Sequence, residues 1–349
     1  MHAHVNALMV LRHLSDLHFT QHALLAGATG LAPTGIDLAI TTIGELGVAI
    51  EAEPQHGYRL RQRFDLIDVA DVAAAMTQDA RNAFDVHLTD VTGSTNSDLM
   101  RDAEHLPSGR VLTTELQIAG RGRRGRAWTA TLGGSLTCSI LWKFARGASS
   151  LSGLSLAVGL AVARAVERLG AVGVMLKWPN DLVAIRNDTW SKLGGILIEI
   201  TGAANGPANA VIGIGLNVAL GPAATGIDQA VTDLAALDVR EPRNRLLGTL
   251  LEELLVVLRA FEASGFAPLA SEWNARHAFH GRQVIVSREG VPPLDGTAAG
   301  VDASGALSLR TANGLEATVS GEVSLRLAPQ TGSRDEQSGK MDKARPGSS

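Results

Sequence analysis

Leu8, Leu11, Leu14 and Leu17 recur at the spacing of one helix face and predict a first helix at the start of the chain. A second, short helix is expected over Gln21–Ala26. A third is expected over Thr34–Leu46, where Ile36, Ile40, Ile43 and Leu46 fall on one side. Val48–Ile50 and Tyr58–Leu60, separated by the turn residues of Pro54–Gly57, read as a hairpin. Three helices and a hairpin predict a winged helix-turn-helix over residues 1–65.

Past that point the pattern changes. Strand-like runs at Val111–Thr114, Leu136–Trp142, Leu193–Ile200 and Ala210–Val218 alternate with helical runs at Leu154–Leu169 and Arg245–Glu262. They predict a mixed α/β or α+β layer domain over residues 66–280. From 281 to 328, short apolar runs are broken by turn signals at Pro292–Gly296, Asp302–Gly305 and Asn313–Gly314. The last lies between Ala306–Arg310 and Leu315–Val319 and is a strong hairpin signal. A small β-barrel is expected there. Residues 329–349 carry Gly, Ser, Lys, Asp and Glu without apolar periodicity, and a disordered tail is expected.

Composition narrows the chemistry. The 349 residues are 45% hydrophobic but only 4% aromatic, so the core must be built from Ala, Val, Leu and Ile. A net charge of −4 gives no global attraction to nucleic acid or anionic membrane, so an anion site must be a local cluster. The single cysteine, Cys138, excludes an internal disulfide framework; in its apolar stretch it reads as a packing thiol rather than a nucleophile. Met1–Val10 lacks the basic start and long apolar centre of a signal peptide. The longest apolar run, Leu154–Ala163, is too short to span a bilayer. A cytoplasmic protein without membrane association is expected.

The local cluster is Gly120-Arg121-Gly122-Arg123-Arg124-Gly125-Arg126. Four arginines and three glycines cannot form a core element. The glycines leave backbone N–H groups open, and the arginines repel one another unless an anion balances them. Taken alone, the run reads equally as a solvated basic loop, a nucleic-acid contact or a phosphate binder. Gln117 precedes it, and Trp128 follows, where an indole can cover a ligand. Lys177-Trp178-Pro179-Asn180-Asp181 aims two polar side chains at one spot after a proline, although Pro-Asn-Asp is also ordinary turn chemistry. Lys192-Leu193-Gly194-Gly195 opens an apolar strand with a lysine and two glycines; it suits close approach of a ligand, or an edge-strand lysine. Gly93-Ser94-Thr95-Asn96 precedes a helix expected near Asp98 and offers either an N-cap or a polar pocket.

In this order the segments resemble the biotin protein ligase family. Ser94-Thr95-Asn96, Gln117, the Gly120–Arg126 run, Trp128, Lys177–Asp181, Lys192–Leu197 and Gly213-Ile214-Gly215-Leu216-Asn217 carry the resemblance. The winged helix before them and the barrel after them extend it to the family's long form, in which the ligase doubles as repressor of the biotin operon. The resemblance implies an α+β protein with a winged helix-turn-helix, a mixed-sheet catalytic domain and an SH3-like end. It implies ATP-dependent conversion of biotin to biotinyl-5′-adenylate, with Mg2+. It further implies transfer of biotin to a lysine of the biotin carboxyl carrier protein of acetyl-CoA carboxylase. Ser94, Thr95, Asn96 and Gln117 would then bind biotin, with Gly120, Arg121, Gly122 and Arg123 beside it and Gly194 and Gly195 letting the strand approach. Arg121, Arg123, Arg124, Arg126, Trp128 and Asn180 would hold ATP or the adenylate. Lys192 would stabilise the charge growing during transfer, with Arg123 and Asp181 as further catalytic groups and Asp181 near the magnesium. Operator DNA and a homodimer are the other partners implied.

Two features depart from that pattern. Eleven positions separate Asp181 from Lys192, and the polar insert Arg186–Ser191 predicts a longer hairpin tip. The expected recognition helix Thr34–Leu46 has no Lys or Arg but carries Asp37 and Glu45. Residues 1–65 hold four arginines (Arg12, Arg59, Arg61, Arg63) against six acids, and phosphate contacts supply most DNA affinity. The charges therefore oppose strong DNA binding although the fold suggests it. Two alternatives remain beside the main reading: a lipoate-type protein ligase, and a biotin-sensing repressor with little ligase activity.

Overall fold

The computed structural model describes residues 1–186, 189–227, 229–288, 290–319 and 323–328. The tail expected over 329–349 lies outside the described residues. The chain begins with α1 (His2–Leu11), α2 (His22–Thr29), α3 (Pro33–Glu45) and a ribbon of β1 (Ile50–Glu53) and β2 (Gly57–Leu60). Helix α1 stops at Leu11, so Leu14 and Leu17 do not extend it, and Leu17 is 83% exposed. Gly30, at φ 70°, ends α2, and α3 follows at 97° to it. That angle is the helix-turn-helix geometry.

The chain then forms α4 (Val69–Ala74), α5 (Gln78–Ala83), β3 (Asp85–Thr92), α6 (Thr95–Asp102), β4 (Arg110–Gln117), β5 (Gly120–Arg121), β6 (Ala127–Trp128) and β7 (Ser135–Phe144). It continues through α7 (Leu154–Arg168), β8 (Met175–Lys177), β9 (Asp181–Arg186), β10 (Thr189–Gly202), β11 (Ala208–Asn217), α8 (Arg243–Ser264) and α9 (Ala270–Ala275). Seven of these strands make one sheet in the order β3-β4-β7-β11-β10-β9-β8. Only β3 and β4 run parallel.

Alternation along β7 and β11 gives the sheet two different faces. Cys138, Ile140 and Trp142 with Ile212 and Ile214 join the main core with α7 and α8. Leu141 and Val211 pack on the other face against Leu99 and Ala103 of α6. Helix α7 is buried nearly all round because it lies among the sheet, α8 and α9, which explains its run of Ala, Val and Leu.

The C-terminal part is a five-stranded antiparallel sheet in the order β15-β14-β13-β12-β16. Its strands are β12 (Gln283–Arg288), β13 (Val291–Val301), β14 (Leu307–Thr311), β15 (Gly314–Thr318) and β16 (Val323–Leu327). The Asn313–Gly314 hairpin forms as expected, with Thr311 paired to Gly314. The turn expected at Pro292–Gly296 does not form. Those residues run inside β13, with Leu294, Asp295 and Gly296 paired to Val286, Ile285 and Val284. Val284, Val286, Leu307 and Leu309 join the main core, so this sheet shares its interior with the central part.

The N-terminal helices pack on Val91 of β3 and Leu116 of β4. An ion cluster lies at the same junction. Arg12 reaches Asp90 with Nε at 2.9 Å, and Glu115, fully buried on β4, accepts from Arg243 Nη2 at 2.7 Å. No single helix among the described residues is long and apolar enough to cross a membrane.

Candidate active site

Two unlike groups of side chains meet on the α6 face of the sheet. Ser94 caps α6, its oxygen accepting from Ser97 N, so the helix begins at Thr95, three residues before the expected Asp98. The cap buries Thr95 and Asn96 against the sheet. Thr95 N donates to Gln117 Oε1 at 2.9 Å, and Thr95 Oγ1 lies 2.7 Å from Ser139 Oγ. Ser139 Oγ donates to Asn96 Oδ1 at 2.6 Å, and Asn96 Nδ2 donates to Glu199 at 2.9 Å. Asn96 fits because position 213 is glycine; a Cβ there would stand 2.2 Å from its Oδ1.

The second group is cationic. A bulge between Lys192 and Gly194 shifts the register of β10 against β9. Leu193 remains fully buried in the core, while Lys192 Nζ reaches Asp181 Oδ1 at 2.7 Å. Lys177 Nζ lies 3.9 Å from Asp181 Oδ2. Burial holds Lys177 below the ordinary lysine range; Asp181 opposes this, and Lys192, Arg126 and Arg326 add to it. Trp178 is buried, its indole N–H donating to Gly305 O of the C-terminal sheet at 3.2 Å.

The arginine run is a hairpin over these groups, with Gly120 paired to Trp128 and Arg121 to Ala127. Arg124 takes the left-handed turn at φ 57°. Phosphate is not the only balance for its charges: Arg121 Nη2 bonds both oxygens of Glu199 at 2.9 and 2.8 Å, and Arg123 Nη1 donates to Asn180 Oδ1 at 3.0 Å. The Trp128 ring lies over Gly215, where a Cβ would come within 2.4 Å of Cε2. Lys192 Nζ is 5.9 Å from the centre of that ring.

Both groups line one cavity of about 160 Å³. A second cavity of about 490 Å³ adjoins it across the arginine hairpin.

The Biotin/lipoate A/B protein ligase family matches residues 88–217, and the Biotin protein ligase C terminal domain matches residues 279–326. The bifunctional ligase/repressor BirA of Salmonella typhimurium is 34% identical over 316 residues, 90% of this chain and 96% of its own length. The chain belongs to the biotin protein ligase family. The biotin–[acetyl-CoA-carboxylase] ligase of Mycobacterium tuberculosis is 37% identical over 225 residues, covering 62% of this chain and 80% of that protein. A biotin protein ligase from Aquifex aeolicus, solved in complex with biotin and ATP, aligns with a TM-score of 0.60 at 26% identity, over 70% of this chain and 99% of that one.

Of the residues the family resemblance singled out, the cavity brings together Ser94, Thr95, Asn96, Gln117, Arg121, Gly122, Arg123, Arg124, Arg126, Trp128, Asn180, Asp181, Lys192 and Gly195. Gly120 and Gly194 stand behind it. A Cβ on Gly120 would strike Trp128 O at 2.4 Å, and one on Gly194 would meet Gly215 O at 2.8 Å, so both serve the packing of backbone on backbone. Ser139, Glu199 and β16 residues Ser324–Arg326 were not singled out. A serine at an inward position of an apolar strand was the one available signal for Ser139. Nothing local marks Glu199 or Arg326, which reach the site through sheet pairing and domain docking.

Cys138 is the buried packing thiol expected, and burial pushes it up to about 12. The insert before Lys192 extends the β9–β10 hairpin, with Arg186 paired to Thr189. Strand β9 runs to Arg186 and β10 resumes at Thr189, leaving Asn187 and Asp188 outside the described residues.

Proposed function

We propose that this chain condenses biotin with ATP to biotinyl-5′-adenylate and pyrophosphate, and then passes biotin to a lysine of a carboxyl carrier protein. The observation that carries this reading is the polarity of a single cavity. One end offers neutral hydrogen-bonding groups (Ser94, Thr95, Gln117), and the other offers Lys192, Lys177, Arg123 and Arg126. Biotin matches both ends: its ureido ring is neutral and polar, and its carboxylate must meet a phosphate. The carboxylate oxygen attacks the α-phosphorus, the bond to the bridging oxygen breaks, and pyrophosphate leaves. Lys192 and Arg123 stabilise the charge that develops. The carrier amine then attacks the acyl carbon, AMP leaves, and the amine loses a proton. The hairpin and Trp128 keep water from the mixed anhydride meanwhile.

Magnesium would arrive on the nucleotide phosphates. Asp181 is the one carboxylate among the described residues lining the cavity, and a single carboxylate suits a cation carried by ATP better than a protein-built cage. Exchange of labelled pyrophosphate into ATP that requires biotin, followed by a streptavidin blot of a carrier domain, tests the function. Exchange that requires lipoate instead would overturn it.

A second activity is favoured by the 97° helix pair and by relatives named as ligase/repressors: binding of operator DNA through α3. The exposed face of α3 carries Asp37, engaged by Tyr58 Oη at 3.0 Å, and Glu45. Arg59 is turned to Glu51 at 2.6 Å. Affinity is therefore expected to be weak and, with few phosphate contacts, to fall only shallowly with salt. A mobility-shift titration with biotin operator DNA, with and without biotin and ATP, decides it; no shift at low salt would remove the repressor role.

A further inference from the structure

The hydrogen bonds of the pocket floor run on beyond it, to a carboxylate with no part in the proposed chemistry. Thr95 Oγ1, Ser139 Oγ and Asn96 Oδ1 are linked at 2.7 and 2.6 Å. Ser139 spends its proton on Asn96, so Thr95 donates to Ser139. The Asn96 amide cannot turn over. Its Oδ1 is taken by Ser139, its Nδ2 also donates to Leu197 O at 3.2 Å, and the plane rests on Gly213. Its remaining reach is to Glu199 Oε2 at 2.9 Å. Glu199 in turn takes Arg121 Nη2 on both oxygens. Arg121 belongs to the ribbon that carries the arginine hairpin, and Arg123, two residues on, is tied to Asn180 on the opposite side.

From this connection we infer that Glu199 is a positioning residue for the biotin–adenylate site: it fastens the arginine hairpin to the floor that reads the neutral end of the ligand. A ligand that engages Thr95 and Gln117 orders the relay, the relay fixes Asn96, and Asn96 holds the carboxylate where Arg121 closes on it. The hairpin is thereby fastened to the polar end of the pocket. This places a charge-assisted bond at the far end of a neutral network, with the carboxylate side chain 26% exposed, dry enough for its geometry to matter. It rests on the function proposed above and adds to it a residue that touches neither substrate.

Glu199→Gln tests the latch, because it keeps the size and, with its amide oxygen toward Asn96, that bond, while it removes the charge and one of the two acceptors that hold Arg121. With the full chain, biotin and ATP, the KM for biotin in pyrophosphate exchange should rise, and preformed adenylate should be released into an unlabelled biotin chase faster. Each change should be roughly tenfold, the size expected for losing a bond to a charged group, while kcat changes by less than about threefold. Arg121→Gln, on a half-exposed side chain, should reproduce the faster release, and the double variant should be no worse than either single one. Wild-type release in Glu199→Gln, or effects of the two substitutions that multiply, would overturn the inference. Loss of kcat with unchanged KM would overturn it too, assigning Glu199 to the chemistry. A wild-type chain with no biotin-dependent exchange would instead sink the functional reading on which it stands.

Discussion

Lys192 and Asp181 form an ion pair whose partner can be exchanged. At 2.7 Å Asp181 holds the ammonium in place at the cationic end of the cavity, and an incoming phosphate offers a stronger charge. If Lys192 stabilises the charge of the transfer step, Lys192→Ala should lower the rate of pyrophosphate exchange by on the order of 10²–10³, with the far-ultraviolet circular dichroism unchanged. Arg123→Ala should fall in the same range, since its guanidinium is already aimed by Asn180. Near wild-type exchange in both would remove them from the reaction. Glu115 is a different kind of charge. It is fully buried with Arg243, so Glu115→Gln leaves a buried guanidinium short of its counter-charge and should cost about 3–5 kcal/mol. A shift of the urea midpoint at constant slope would measure it. The sequence marked Lys192 and Arg123 through the order of the motifs that carry the family resemblance, since the run alone read equally as a solvated loop and the lysine as an edge-strand residue. It did not mark Glu115, because an acid at the end of a strand looks the same whether it faces water or a buried arginine.

Among the elements, β10 and β11 make the site by what they omit. On β10, alternation sends Leu193 into the core and Lys192 toward Asp181, and the bulge beside them shifts the register against β9. On β11, Gly213 and Gly215 clear the ground for Asn96 and Trp128. Gly213→Ala should push the Asn96 amide off the sheet and break its bonds to Ser139 and Glu199. Biotin affinity should drop by about tenfold or more, with stability lowered by about 1–3 kcal/mol. Calorimetric titration with biotin beside thermal unfolding checks both, and wild-type affinity would count against Asn96 as part of the floor. Periodicity located these strands well, and it found α7 and α8. It overran α1, because Leu14 and Leu17 keep the helical spacing although the chain has already turned. It also read Pro292–Gly296 as a turn. Those residues lie in β13, where the two prolines fall at the register shift opposite Val286–Arg288, outside the paired positions.

The whole molecule is joined at buried junctions rather than by loose linkers. His277 lies at one of them, bridged to Leu176 of the central sheet just before the C-terminal strands begin. Its ring packs 4.9 Å from that of Trp273, and neither ring nitrogen has a hydrogen-bond partner among the described residues. Burial, aided by His280, brings its pKa down from 6.5 to about 4. The unfolded chain therefore takes up this proton first. The stability from neutral His277 is complete above about pH 6.5 and is lost as pH falls through 4, by about 3 kcal/mol in all. His277→Leu should flatten that part of the stability–pH curve in chemical unfolding at stepped pH; an unchanged slope would place the acid sensitivity elsewhere. At the other junction, Arg12 is turned inward to Asp90, so one of the four arginines of the first 65 residues contacts the central sheet instead of being available to DNA.

By itself the sequence determined the order of the parts, most of their strands and helices, and the identity of the chemistry. Those depend on local period and on short motifs whose residues are neighbours along the chain, such as the arginine–glycine run and Lys192-Leu193-Gly194-Gly195. Only the tertiary structure decided which charges are spent inside the protein and which are left for a ligand. Arg121 and Glu199 lie 78 residues apart, and Arg243 and Glu115 lie 128 apart. Pairing of that range is set by sheet register and by packing between layers, and no local pattern of residues encodes it.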